Sequence, residues 1–250
     1  MPCVFETTSI VVNGETLLLD TAGALYWPSR EALILADLHF EKGSSFARRG
    51  IMLPPYDTHA TLNRIVRLFK TYGPKRIIAL GDSFHDGEGP ARLDGHARDQ
   101  LAALAKAAEW FWIEGNHDPE IPLWLGGYAA AEIAVGNLVF RHEPAIGAEA
   151  GEIAGHLHPC ASVSRHGRTL RRRCFVADGY RVVMPSFGAF TGGLNVRDAA
   201  FQRLFPQDWL AYALGGRRVY AVSGSVQALR RKKNEEAQPS SVAINTVKMP

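Results

Sequence analysis

Apolar runs of three to five residues recur along the chain at 9–12, 16–19, 33–36, 76–80, 109–113, 137–140, 152–154, 174–177, 181–184 and 219–222. Most are nearly continuous in apolar character, which is the pattern of strands buried on both faces. Helical periodicity alternates with the early ones. Asp57-Thr58-His59 is a capping cluster ahead of Leu62, Ile65, Val66, Leu68 and Phe69, which fall mostly on one helical face, and Gly73-Pro74 ends the pattern. An alanine-rich helix is predicted over 97–108, and a third over 199–214, broken or kinked near Pro206. The first half therefore reads β-α-β-α-β and the second mainly as strands. That order predicts two sheets packed face to face with helices outside them, in one domain over 1–229. From Arg230 the composition turns to Arg-Arg-Lys-Lys-Asn-Glu-Glu and then Gln/Pro/Ser, the signature of a disordered tail over 230–250.

Composition alters this picture little. Hydrophobic residues make up 46% and charged residues 21% of 250, ordinary for a chain with a substantial core. A net charge of +3 permits a polyanionic partner without demanding one. No apolar stretch approaches the roughly 20 residues of a membrane span. The first residues, Met1-Pro2-Cys3-Val4-Phe5-Glu6, lack the basic-then-apolar order of a secretory signal. Cys3, Cys160 and Cys174 form no C-x-x-C pair, so a reducing cytoplasm is the expected compartment and no thiolate metal site is indicated.

The chemistry lies in short polar blocks that follow apolar runs: Asp37-x-His39, Gly81-Asp82-x-x-His85-Asp86, Gly115-Asn116-His117-Asp118, His142, and Gly155-His156-x-His158. Two adjacent cations need hard or borderline ligands, at least one anionic bridge and open positions for phosphate and water. These blocks offer that set. On an extended segment, Asp37 and His39 would project to one side, as would His156 and His158. The sharing expected is Asp37, His39, Asp82 and His158 on one metal, with Asp82, Asn116, His142 and His156 on the other. A water or hydroxide between the metals would be the nucleophile. His117 is left for acid–base work, with Asp118 orienting its ring, and His85 is a second candidate for substrate or leaving-group contact.

The constellation resembles the calcineurin-like metallophosphoesterase superfamily from Asp37 to about Val196. The block Asp37-Leu38-His39-Phe40-Glu41-Lys42-Gly43-Ser44-Ser45-Phe46-Ala47-Arg48-Arg49-Gly50 is similar to the bacterial ligase-associated phosphoesterases. So are Gly155-His156-Leu157-His158-Pro159 and the loop from Pro185 to Leu194. The resemblance implies a four-layer α-β-β-α sandwich with two mixed sheets, and a manganese-dependent DNA endonuclease or phosphodiesterase of DNA repair. It also implies functional association with a DNA ligase, an exonuclease-like protein and a helicase. Iron and zinc suit the same ligands. Asp86 departs from the pattern, where a small polar residue is expected.

Plainer readings compete at several places. His142 in Arg141-His142-Glu143 also reads as a strand-end histidine, with Glu143 a rival carboxylate ligand. Arg171, Arg172 and Arg173 close a basic stretch that could follow a phosphate backbone, or belong to a solvated hairpin with a charged edge. Arg48 and Arg49 closely follow the first block and are expected to face the same site as candidate substrate contacts. Phe187 and Phe190 lie in a glycine-rich loop, either stacking on bases or sitting in the core. The rival activities are a small-nucleotide phosphoesterase or phosphatase of the same superfamily and, last, a metal-free scaffold.

Overall fold

The computed structural model describes residues 8–148, 150–165 and 168–223. The expected tail over 230–250 and Cys3 lie outside the described residues. Seven strands form the first sheet in sequence order: β1 (Thr8–Val12), β2 (Glu15–Leu19), β3 (Leu25–Trp27), β4 (Ala32–Ala36), β5 (Arg76–Leu80), β6 (Glu109–Ile113) and β7 (Tyr128–Ala130). The joins from β1 to β4 are antiparallel and those from β4 to β7 parallel. The second sheet contains β8 (Glu132–Val135), β9 (Leu138–Arg141), β10 (Glu152–Ala154), β11 (Cys160–Arg165), β12 (Arg168–Ala177), β13 (Arg181–Val183), β14 (Leu210–Leu214) and β15 (Val219–Ser223). Its order is β15-β14-β12-β13-β10-β9-β8, with β11 paired to the outer half of β12. Parallel pairing joins β9, β10 and β13 alone.

Burial explains the apolar runs. All five residues of β4 are buried: Ala32, Ile34 and Ala36 face the second sheet, while Leu33 and Leu35 face the helices. β5 repeats the division, with Ile78 and Leu80 between the sheets and Ile77 and Ala79 outside. Strands with two buried faces cannot show polar alternation, so they read as continuous runs. Helices α2 (Asp57–Tyr72) and α4 (Gly95–Ala107) cover the outer face of the first sheet with Leu62, Ile65, Leu101 and Leu104. Each fully buried leucine or isoleucine contributes about 1.5–3 kcal/mol. The outer face of the second sheet is closed by α5 (Ala199–Leu204) and by Phe205 and Trp209. The layers are those of an α-β-β-α sandwich.

One expected element is wrong. Residues 199–214 do not form a kinked helix: α5 stops at Leu204, and Leu210–Leu214 is a strand between β12 and β15. Leu-Ala-Tyr-Ala-Leu is a good helix former in isolation, but two neighbouring strands offering a full ladder outweigh that propensity. Strands β3, β7, β8 and β11 and the short helices α1 (Lys42–Ala47) and α3 (Gly89–Arg92) were likewise not anticipated.

The parallel strands set the site. β4, β5 and β6 of one sheet and β9, β10 and β13 of the other end at the same side, where open α/β folds gather their ligands.

Candidate metal centre

Each polar block begins where one of these strands stops. Asp37 follows β4, Asp82 follows β5 and Gly81, Asn116 follows β6, His142 follows β9, and His156 follows β10. Extended alternation is not what aligns them. Asp37, His39, Asp82, His156 and His158 have φ of 52°, 46°, 46°, 66° and 46°, five of the nine non-glycine residues with positive φ among those described. Such conformations are sparse for side chains with a Cβ, and they cluster where surrounding structure imposes them for function. The chain turns left-handed at five of the seven candidate ligand positions and thereby swings those side chains over the strand ends.

The motif glycines make room for this. A Cβ on Gly81 would lie 2.5 Å from the His142 ring, one on Gly115 2.3 Å from Asp82 Oδ1, and one on Gly155 2.6 Å from Asp37 Oδ2. Each block is thus pressed against a ligand residue of another block, a role that reading the blocks singly did not reveal.

Asp37, His39, Asp82 and His142 are buried, His156 and His158 half-buried, and Asn116 and His117 exposed. Asp37 accepts the His156 N–H on both carboxylate oxygens at 3.1 Å, and its Oδ1 lies 3.2 Å from His158 Nε2. His158 Nε2 is in turn 3.4 Å from His39 Nε2. In the second group, His142 Nε2 lies 2.9 Å from Asn116 Oδ1, 3.1 Å from His156 Nδ1 and 3.4 Å from Asp82 Oδ1. The atoms of Asp37, His39 and His158 fall together, as do those of Asp82, His142 and His156. Asp82 turns its other oxygen toward the first group, 4.0 Å from His39 Nε2.

The donor chemistry fits cations. His142 Nδ1 is 3.0 Å from the Leu80 carbonyl, which only accepts, so Nδ1 carries the proton and Nε2 a lone pair. That lone pair faces the Asp82 carboxylate, and two acceptors at this distance repel unless positive charge lies between them. Bonds near 2.1 Å in an octahedron place neighbouring ligand atoms about 3 Å apart, close to the spacings found. Burial, then the nearby His158, Lys42, His117 and His85, pushes the His39 imidazole down to about 2. Burial and His142 lower His156 as well. Both rings are therefore neutral at neutral pH, the form that binds metal.

His117 and His85 stand beside His39, and the three offer a further cluster of ring nitrogens. His117 Nδ1 donates to the His85 carbonyl at 2.8 Å, leaving Nε2 directed at Asp82 Oδ2, 3.9 Å away. The expected partnership with Asp118 does not form. Asp118 is buried and accepts the Phe84 N–H at 2.9 Å, because the turn after Asn116 sends consecutive side chains in opposite directions. Burial and the Asp82 charge push the Asp118 carboxyl up to about 7, although the Phe84 amide opposes this. The His117 ring is oriented by a backbone carbonyl instead.

Other residues take less direct places. Glu143 is exposed and outside the cluster, so the ligand-bearing side chain of that pair is His142. Arg48 is paired with Glu88, whereas Arg49 forms no ion pair among the described residues; both line a cleft of about 460 Å³ with Ser45, Asp86, Gly87 and Glu88. Burial resists ionisation of Asp86, but hydrogen bonds from Arg92 and Ser45 hold its carboxyl at about 2. The basic stretch is a hairpin of β11 and β12. Arg171 donates to the Gly193 carbonyl and Arg173 to the Ser186 carbonyl, while Arg172 is exposed. Phe187 is core and Phe190 exposed.

Lys42 was quoted in the first block without a role. Its ammonium lies 5.8 Å from the Phe46 ring centre, and Phe46 packs 5.4 Å from the His85 ring. Burial, then the Lys42 charge, brings His85 down to about 4. Asp57 and Thr58, expected as helix caps, instead accept the N–H groups of Gly43 and Glu41, tying α2 to the segment after His39. The Ser186 hydroxyl donates to the Asp37 carbonyl, fixing the ligand from behind.

Comparison with known proteins agrees with this geometry. Compared with curated proteins, the sequence gives no significant match. Among solved structures, the crystal structure of Pseudomonas putida nuclease MPE superposes with a TM-score of 0.70 at 30% identity, covering 87% of this chain and 100% of that one. The E. coli phosphoesterase Yfce superposes with a TM-score of 0.40 at 16% identity over 78% of this chain and 99% of that one, too loosely to argue from. The model of the calcineurin-like phosphoesterase family matches residues 32–178, a span that begins with β4 and takes in every ligand block. With two mixed sheets ending in a cluster built for divalent cations, the chain belongs to the calcineurin-like phosphoesterase family and is a metal-binding phosphoesterase.

Proposed function

We propose that the protein is a dinuclear phosphodiesterase that cuts DNA internally, with single strands as its substrate. The observation that carries the reading is Asp82, whose two oxygens face the two ligand groups at 3.4 Å and 4.0 Å. When bound, a pair of divalent cations neutralises phosphate charge and lowers the pKa of a coordinated water. Asp37 and Asp82 would hold that pair, which would offset their own charge and let an anionic substrate approach buried carboxylates. His117, with Nδ1–H committed to the His85 carbonyl, turns Nε2 toward the centre, 3.9 Å from Asp82 Oδ2. Protonated there, it stabilises charge on the phosphate and delivers the proton to the leaving oxygen. Lys42 and Arg49 add positive charge along the same rim.

Nucleic acid is favoured over a small nucleotide by the likeness to nuclease MPE along nearly the whole chain. The exposed Arg49 and Arg172 and the net charge of +3 suit a phosphate backbone. Mixed Asp, Asn and His donors suit manganese, iron or zinc better than magnesium, and manganese is our choice. A place in cytoplasmic DNA repair beside a ligase, an exonuclease-like protein and a helicase rests on the sequence resemblance alone.

The test strips the protein of metal, adds manganese back, and compares labelled single-stranded DNA, duplex DNA and mononucleotides, with Asp82→Ala alongside. Internal cuts in the single strand that vanish in the variant are expected. Turnover of mononucleotides with DNA left intact would replace the nuclease reading by a small-nucleotide phosphoesterase.

A further inference from the structure

We infer that Tyr56 and Phe190 form a stacking platform for an unpaired nucleobase next to the phosphate held at the Asp37–Asp82 centre. The inference rests on the nuclease reading and names what selects a single strand. Both side chains are large, aromatic and exposed, Tyr56 at 58% and Phe190 at 44%, with ring centres 6.2 Å apart and planes inclined at 59°. Phe187, three residues before Phe190 on the same loop, is fully buried with the Arg64 guanidinium 4.8 Å from its ring centre.

The Phe190 loop is bonded to candidate ligand residues, and Tyr56 adjoins residues bonded to the segment after His39. The Gly188 N–H donates to the Asp37 carbonyl at 3.0 Å and the Leu194 N–H to the His158 carbonyl at 3.1 Å, so Phe190 rides on a loop pinned at each side to a candidate ligand. Tyr56 precedes Asp57 and Thr58, whose side chains hold the N–H groups of Gly43 and Glu41 at 3.1 Å and 2.8 Å, just past His39. Phe190 also has φ of 56°, a left-handed conformation that it shares with five candidate ligand residues. Bulky side chains rarely adopt this conformation, and where it persists it clusters at sites such as ligand clamps. Arg171 braces the same loop at the Gly193 carbonyl and brings a cation to it.

Every base has a π-face, so an aromatic pair accepts any sequence. Duplex bases already stack on their neighbours and gain little from leaving them. Such a platform therefore favours single strands without reading bases.

The manganese-loaded full chain is compared with Tyr56→Ala, Phe190→Ala, the double variant, and Phe190→Trp. Three readouts are taken: cleavage of a single-stranded oligonucleotide, cleavage of the small diester methyl 4-nitrophenyl phosphate, and fluorescence of 2-aminopurine within the oligonucleotide. The double variant should raise KM for the oligonucleotide by about 5- to 150-fold, the worth of one base stack, while the small diester is cut at the wild-type rate. Stacking on the wild-type protein should quench 2-aminopurine, the double variant should abolish the quench, and Phe190→Trp should retain it. An unchanged oligonucleotide KM, or equal losses on both substrates, would overturn the platform while leaving the nuclease reading intact. A wild-type chain that neither cuts nor binds the oligonucleotide would remove the nuclease reading and the platform with it.

Discussion

The two sheets meet at one rim with different chemistry. The first sheet brings both carboxylates of the centre, Asp37 and Asp82, together with His39 and Asn116, after β4, β5 and β6. The second brings only imidazoles, His142, His156 and His158. The carboxylates are 0% and 2% exposed, deep enough that an uncompensated charge is costly. On the imidazole side, burial and His142 hold His156 below its usual range, while His142 Nδ1 is tied to the Leu80 carbonyl. The rim's two carboxylates therefore lie on one side and three of its imidazoles on the other. It is pinned shut by glycine contacts that cross between the sheets, Gly81 against His142 and Gly155 against Asp37. A cation is what reconciles the halves, and the fold prepares the geometry before it binds.

Removing the anionic side should do most damage. Asp82→Ala takes away a carboxylate whose two oxygens face the two groups, and no metal-dependent turnover should be detectable against any phosphodiester. His117→Ala spares both halves and should slow cleavage by ~10²–10⁴-fold with bound manganese unchanged, as measured by atomic absorption. Loss of manganese would instead make His117 a ligand. Saturating the rim should stabilise the whole sandwich, because cations bind only the folded arrangement. At 100 times Kd each site adds about 2.7 kcal/mol, or about 5–10 °C in Tm, and a chelator should reverse it. Asp118→Ala strands the buried Phe84 N–H and should cost about 1–3 kcal/mol in chemical denaturation, with less effect on metal content than Asp82→Ala. Smallest of all, Arg172→Ala should lower the slope of log affinity for single-stranded DNA against log salt by about 0.7, leaving the small diester untouched.

The anionic half was the easier to read from sequence. Asp37, Asp82 and Asn116 each follow a five-residue apolar strand, and the doubly buried faces of β4 and β5 make those strands conspicuous. His142 was harder, since its strand is short and only the ring's hydrogen bond to Leu80, a residue of the other sheet, marks it as oriented. Some features were invisible because they depend on tertiary contact. Asp118 adjoins His117 in sequence, yet the turn aims it at Phe84. The capping residues Asp57 and Thr58 bond a distant loop rather than their own helix. Leu210–Leu214 has helical composition, and its neighbours in the sheet make it a strand. The left-handed turns at five candidate ligand residues have no sequence signal beyond the polar residues themselves.

Calorimetric titration of manganese into the metal-stripped chain and into Asp82→Ala tests the central claim most directly. The account predicts two ions per wild-type chain and fewer than one retained by the variant at the same concentrations. A single ion in the wild type, or two in Asp82→Ala, would contradict a centre in which one carboxylate of the first sheet joins both ligand groups.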